Sequence, residues 1–268
     1  MSLVAPRPVN LSLAAWPGLR FEDAMETAIR RPPHEPLLGR LLVDHVQLCP
    51  QNRGILTPDL AEHLRGQFPQ TRFRLHANVR VLPERHLADW ADWKPDDPYW
   101  QALATCSRSL DAPAYTAHAG RRDRCTLTTL FDNVRQATGL FGCPVGIEGH
   151  YPTRGNPYLI SDWEEYRALF DSGIPYALDL SHLNIVASRT RRCEQTLIRE
   201  MLACERCIEV HLSGNNGTGD EHRVLEQAPW WWSLFDDVHD RADIFSEGNQ
   251  RRYLRETLGP ARDMTTAI

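Results

Sequence analysis

The sequence contains eight short apolar runs that recur roughly every 30 residues. Each run has five to seven residues, which is the length of a strand buried on both faces of a sheet. The predicted strands are Val9–Leu13, Leu42–Leu48, Phe73–Ala77, Ala114–His118, Pro144–Glu148, Tyr176–Leu180, Cys207–Leu212 and Ala242–Glu247. This regular spacing constrains the fold more than any other feature, because parallel strands need a crossover connection between them.

Helical patterns fill the intervals between these runs. Thr57 followed by Pro58 is typical of a helix start, since threonine caps the first turn and proline needs no hydrogen-bond partner there. Ser161 with Glu164 three residues later predicts a capping box. Apolar spacing of three and four residues predicts further helices over 126–138, 192–203 and 249–258.

Eight strands that alternate with helices predict an α/β protein with a (β/α)₈ TIM barrel, formed as a single domain over residues 1–268. A doubly wound open sheet is the alternative, but no glycine-rich phosphate loop follows the first strand. Residues 84–100 are proline-bearing and rich in tryptophan, so we expect a long aromatic loop over one end of the barrel. That loop would serve as a substrate lid or as an aromatic plug.

Composition excludes several classes of function. The formal charge is −5, with 30 basic and 35 acidic residues, which argues against a nucleic-acid partner. No apolar run approaches the ~18 residues of a membrane span, and the first residues lack a secretory pattern. The seven cysteines are scattered and odd in number, so we expect reduced thiols in a cytoplasmic protein. Nothing in the sequence fixes the oligomeric state.

Six consecutive predicted strands end in an imidazole or a carboxylate. These residues are His76, His118, Glu148, Asp179, His211 and Glu247. The carboxyl ends of barrel strands meet at one face, and a charge buried there is costly unless it is paired or metal-bound. Three further candidates follow nearby strands, namely His182, Asp220 and His222. The sequence therefore predicts a metal centre at this face of the barrel.

Nine candidate ligands exceed the needs of one ion. We expect two or three divalent ions with Glu148 bridging between them. Imidazoles mixed with carboxylates suit zinc, manganese or iron(II) better than magnesium or calcium. His150 is a weaker candidate that we assign to the surroundings of the centre, and His45 is interpreted as a histidine of the barrel interior.

These residues resemble the motifs of the xylose-isomerase-like TIM-barrel superfamily. The ordered series His76, His118, Glu148, Asp179–His182, His211, Asp220–His222 and Glu247 resembles the ligand series of endonuclease IV, which implies a trinuclear site. Sugar isomerases and epimerases of the superfamily use the subset Glu148, Asp179, His211 and Glu247 around one ion.

The end of the chain resembles the multinuclear non-haem iron oxidases of the same superfamily. The similar features are His211-Leu-Ser-Gly, Asp220-Glu-His222, the tryptophans 230–232 and Ser246-Glu247-Gly-Asn249. The departure is His182, where those enzymes typically carry asparagine.

The favoured hypothesis is a non-haem iron oxidase or oxygenase that acts on a small molecule or a peptide. The alternatives are a zinc- or manganese-dependent hydrolase of phosphoesters, a single-metal sugar isomerase or epimerase, and a non-catalytic barrel that only binds metal or a partner. Under the enzymatic hypotheses we assign catalytic roles to Glu148, His182 and Glu247.

Overall fold

The computed structural model of the chain describes residues 7–84 and 88–258. Eight strands form one parallel sheet: β1 (Asn10–Ser12), β2 (Leu42–Leu48), β3 (Arg72–Leu75), β4 (Tyr115–His118), β5 (Val145–Glu148), β6 (Tyr176–Asp179), β7 (Cys207–Leu212) and β8 (Asp243–Ser246). Each overlaps one of the eight predicted apolar runs. The bonded order is β3-β2-β1-β8-β7-β6-β5-β4, so every strand follows its chain neighbour around the barrel.

The sheet is a nearly closed barrel, which confirms the predicted (β/α)₈ fold. Strands β3 and β4 stand at the two ends of the bonded order. The register between neighbouring strands determines which residues lie side by side at the carboxyl ends of the strands. His118 pairs with Glu148 across β4 and β5, and Asp179 pairs with His211 across β6 and β7. These pairings bring polar residues to the same level at the carboxyl ends of neighbouring strands.

In the part of the chain that the structure describes, eight helices surround the strands: α1 (Phe21–Arg30), α2 (Pro58–Gln67), α3 (Pro98–Ser109), α4 (Leu127–Phe141), α5 (Trp163–Asp171), α6 (Leu180–Thr190), α7 (Gln195–Leu202) and α8 (Gln250–Leu258). Shorter 3₁₀ helices lie at Leu13–Ala15, Trp90–Asp92 and Trp230–Asp237, and a small hairpin pairs His34–Glu35 with Gly39–Arg40. Within the described ranges, no helix combines the length and apolar character needed to cross a membrane.

The helix starts follow local capping chemistry. Thr57 caps α2 as predicted, because its side chain accepts a hydrogen bond from the Leu60 amide. The predicted capping box at Ser161 is displaced by one residue. Asp162 caps α5 by accepting from the Glu165 amide, and Glu165 accepts from the amide of Ser161. Both Ser161 and Asp162 are good capping residues, and the extended backbone at Asp162 determines which one acts.

In the aromatic stretch 84–100, the described residues before Pro98 are irregular apart from one short 3₁₀ turn. The helix α3 begins within it at Pro98, a 3₁₀ turn forms at Trp90–Asp92, and residues 85–87, with His86, lie outside the described residues. Trp90 is fully buried and stacks on Trp100, with ring centroids 4.9 Å apart. Its Nε1 donates to the Gly146 carbonyl of β5. These contacts make the tryptophans part of the core, as expected of a plug rather than of a mobile lid.

Candidate metal centre

Glu148 lies at the centre of the residues predicted at the strand ends. It ends β5 and is 1% exposed. Its Oε1 lies 3.3 Å from His211 Nδ1 and 3.7 Å from His118 Nε2. Its Oε2 lies 3.7 Å from His76 Nε2. One carboxylate therefore faces imidazoles from three strand ends.

All nine predicted ligands join into one network of side-chain contacts no longer than 3.8 Å. Two groups within it have ligand atoms less than 4.8 Å apart. One contains His76, His211 and Glu247, and the other contains Glu148, Asp179 and His182. All six of these residues are buried. The structure thus brings together the full set that the sequence predicted for a metal centre.

In three histidines of the network, one ring nitrogen contacts a group that does not belong to the network. His211 Nε2 lies 2.8 Å from Glu209, so it donates to that carboxylate and leaves Nδ1 facing Glu148. His76 and His182 each place Nδ1 within 3.0 Å of a backbone carbonyl. Their Nε2 atoms then face the carboxylates of the network. This is the arrangement expected of metal-binding histidines, whose second nitrogen selects the tautomer.

Asp220 and His222 come from the loop that follows β7. Asp220 Oδ2 lies 2.6 Å from His222 Nε2 and 3.6 Å from His182 Nε2. The backbone of His222 is left-handed, with φ of 46°, a conformation that non-glycine residues rarely adopt. These contacts join Asp220 and His222 to His182 at the edge of the network.

An amide network holds this loop against the barrel. Asn184, on α6, donates to Asn215 of the loop at 2.7 Å and accepts from Trp230 Nε1 at 2.8 Å. Paired backbone hydrogen bonds between Gly214 and Arg223 close the base of the loop. The 3₁₀ helix that carries Trp230 is therefore coupled to the segment that presents Asp220 and His222.

Glu247 is supported by a residue that the sequence did not single out. Glu35, in the small hairpin before β2, is fully buried. Its carboxylate accepts hydrogen bonds from the Ser246 hydroxyl, from Gln250 and from the backbone of Leu225. These bonds fix the end of β8 and with it the position of Glu247.

A second buried network lies beneath His211 inside the barrel. Glu209 is fully buried and contacts Arg74, whose guanidinium is 2.9 Å away, and the Thr116 hydroxyl. Arg74 also lies 3.2 Å from Asp243, which is 3.1 Å from His45. His45 therefore belongs to the barrel interior, away from the strand ends. Because alternate strand residues share a face, the spacing of Glu209 and His211 was the signal for this contact.

The donor set of the centre fits divalent cations. Three carboxylate oxygens of the nine predicted ligands are buried without accepting a hydrogen bond, namely Glu148 Oε2, Asp220 Oδ1 and Glu247 Oε1. Burial opposes charge on the histidines, yet the surrounding carboxylates raise the pKa of His182 to about 10 and that of His222 to about 9. The pocket thus favours positive charge, which metal ions supply when they displace these protons.

Asp179 provides a test that separates capping from ligation. Its Oδ1 accepts from the amides of Ser181 and His182 at the start of α6, while Oδ2 lies 3.3 Å from His182 Nε2. We expect Asp179→Asn to retain the cap and lose metal affinity. Asp179→Ala should lose both the cap and the metal affinity, and its free energy of unfolding should fall by about 1 kcal/mol. Metal analysis and urea unfolding of metal-free protein measure the two effects, and equal stability of both variants would contradict the capping role.

Comparison with known proteins supports the fold. No family model and no curated protein sequence matches this chain. Among solved structures, a D-tagatose 3-epimerase-like protein has a TM-score of 0.63 at 15% identity, covering 94% of this chain and 97% of that one. A family 2 AP endonuclease from Brucella melitensis gives 0.57 at 16% identity, covering 92% and 96%.

A Thermus thermophilus protein soaked with zinc chloride gives a TM-score of 0.53 at 15% identity, covering 93% of this chain and 96% of that one. Two further neighbours are described as xylose isomerase domain proteins. The fold of this chain is therefore that of the xylose-isomerase-like TIM barrels.

Proposed function

We propose that this protein is a multinuclear metal-dependent enzyme, with non-haem iron oxidase or oxygenase activity on a small molecule or a peptide. The observation that carries the proposal is the position of Glu148. It is a buried carboxylate with imidazoles from three strand ends around it and one oxygen that accepts no hydrogen bond. Such a carboxylate is suited to bridge two cations.

In this proposal the nine residues of the network hold two or three ions, with iron favoured and zinc or manganese as alternatives. Bound ions would supply Lewis acidity, and iron would add one-electron chemistry with dioxygen. Glu148 would bridge the ions, and the buried side chains of His182 and Glu247 would be among their ligands. Glu209 would keep Nδ1 of His211 free for binding, and Glu35 would hold Glu247 in place.

The loop after β7 supports the oxidase hypothesis. Its Asp220 and His222 are tied through Asn215 and Asn184 to the tryptophan-bearing 3₁₀ helix. This sequence of elements is the one in which the chain resembles the iron oxidases. The substrate would be a small molecule or a peptide rather than nucleic acid, in keeping with the formal charge of −5.

A second candidate is a zinc- or manganese-dependent phosphoester hydrolase. The observation that favours it is His182, whose Nε2 lies 3.3 Å from Asp179 and 3.6 Å from Asp220, the carboxylate that also contacts His222. The likeness of the fold to a family 2 AP endonuclease is consistent with it. In this case the ions would activate water.

Metal content after anaerobic purification tests the proposal. We expect two or three iron ions per chain, and oxygen uptake when the iron(II)-loaded protein is exposed to air. Three zinc ions with hydrolysis of bis(p-nitrophenyl) phosphate would instead support the hydrolase. One ion per chain, unaffected by His222→Ala, would support a single-metal isomerase, and a chain that binds no divalent metal would disprove the proposal.

Metal removal should also change stability. A ligand that binds only the folded state adds about 2.7 kcal/mol to the free energy of unfolding when its concentration is 100 times its dissociation constant. We therefore expect treatment with EDTA to lower the melting temperature and zinc or iron(II) to restore it. Calorimetry with and without the metal measures the change, and calcium at the same concentration is the control.

A further inference from the structure

A group of three possible ligands lies beside the metal centre. Two of the three are not among the nine predicted ligands, and the third, His118, belongs to both sets. The group contains Asp89, His118 and His150, whose ligand atoms lie within 4.8 Å of one another. The ring of His118 lies between the two sites. Its Nε2 is 3.7 Å from Glu148, and its Nδ1 is 3.8 Å from Asp89. We call Asp89, His118 and His150 the outer group.

The fold places Asp89 against the end of β4. The amide of Ala91 donates to the Ala119 carbonyl at 3.0 Å, which anchors the segment that carries Asp89. Gly120 permits this close approach, because a Cβ at that position would lie 2.6 Å from the Cβ of Asp89. Gly120 also has a φ of 93°, which favours glycine. The carboxylate is thus held near His118 by backbone contacts.

His150 is held just beyond the end of β5. Its amide donates to the Ile160 carbonyl at 2.7 Å. Its ring stacks between His118, at 4.7 Å, and Tyr158, at 4.4 Å. These contacts place the ring beside His118, yet its buried Nε2 atom has no hydrogen-bond partner. A buried nitrogen without a partner is costly in the absence of a ligand.

The donor atoms of the group suit a cation. The buried Nε2 of His150 has no hydrogen-bond partner, so its lone pair is available to an ion in the tautomer that carries the ring proton on Nδ1. Asp89 supplies a mostly buried carboxylate, whose Oδ1 lies 3.8 Å from His118 Nδ1. Two imidazole nitrogens and one carboxylate form the donor set of open zinc and iron(II) sites. His118 would serve both sites by losing its ring proton to solvent, which leaves an imidazolate with one nitrogen for each ion.

We propose that the outer group binds an additional divalent cation of the zinc or iron(II) type. Donors about 2.1 Å from one ion lie at most about 4.2 Å apart, so small side-chain rotations would bring these atoms into range. Only three protein donors meet here, which leaves positions for water or substrate. The inference rests on the proposed function because His118 is shared with the main centre.

Cobalt(II) titration of the metal-free full-length protein tests this inference. Bound cobalt is counted by equilibrium dialysis and its visible absorption reports coordination. We expect wild type to bind one cobalt ion more than Asp89→Asn, with the remaining ions unchanged. His150→Phe keeps an aromatic ring for the stack but removes the nitrogen, and we expect the same loss from it. Asp92→Asn is the matched control, because Asp92 is a nearby carboxylate that pairs with Arg124.

The outcomes separate this inference from the proposed function. If wild type and Asp89→Asn bind the same number of cobalt ions, two or more, the outer site is disproved and the main centre stands. If wild type binds no cobalt, both proposals fail. Loss of one ion in both outer-group variants but not in Asp92→Asn supports the outer site. Circular dichroism confirms that each variant is folded.

Discussion

We expect Glu148→Gln to abolish metal-dependent activity and to weaken metal binding by more than about 100-fold. Residues that only orient a metal ligand already cost 10- to 100-fold in metal affinity or activity when they are replaced. Glu148 contacts three histidines of the network directly and supplies its central buried carboxylate. Glutamine preserves the size of the side chain, but its neutral amide cannot bridge two cations. The loss of metal affinity in Glu148→Gln should therefore exceed the loss caused by replacing a residue that only orients a ligand.

The measurement is the number of bound ions and their dissociation constants, obtained by dialysis against increasing metal concentrations. Glu226→Gln is the matched control, since Glu226 is exposed and the substitution is chemically identical. The effect holds for the oxidase, hydrolase and isomerase hypotheses alike, so it tests the metal centre and not the reaction class. A variant that keeps wild-type metal content and affinity would contradict the central role of Glu148.

The sequence was sufficient to predict the strand ends and the residues that meet there. An apolar run that ends in histidine or a carboxylate is a local pattern. The barrel fold brings the six strand ends with this pattern together at one face. This is why His76, His118 and Glu148, which are far apart in the chain, could be assigned to one place. The pairing of His118 with Glu148 is a consequence of strand register, which follows from the same pattern.

Other parts of the site depend on tertiary contacts that no local pattern encodes. Asp89 lies in an irregular segment, and its position follows from the contact of that segment with Ala119 and Gly120. Glu35 comes from a hairpin that precedes β2, yet it supports the end of β8. A glutamate in such a segment has the sequence appearance of an ordinary surface residue. Its burial becomes evident only when the whole chain is folded.

The second large expected effect is on stability and concerns the buried network beneath His211. Arg74 is buried, and its guanidinium lies 2.9 Å from Glu209 on β7 and 3.2 Å from Asp243 on β8. We expect Arg74→Met to lower the free energy of unfolding by about 3–5 kcal/mol, the usual cost of removing one partner from a buried ion pair. Methionine retains much of the apolar volume, so most of the loss would come from the carboxylates left without a countercharge.

Urea unfolding of the EDTA-treated protein measures this loss without a contribution from bound metal. Arg72→Met is the matched control, because Arg72 lies on the same strand but is exposed and should change stability by less than about 0.5 kcal/mol. Adding Glu209→Gln to Arg74→Met should recover part of the loss, since the double variant no longer buries that unpaired charge. A loss below about 1 kcal/mol in Arg74→Met would show that water or rearranged side chains already compensate the two carboxylates.

The double variant Arg74→Met, Glu209→Gln should bind metal more weakly than wild type. Glutamine at 209 can donate a hydrogen bond to His211, so it no longer selects the tautomer of that histidine.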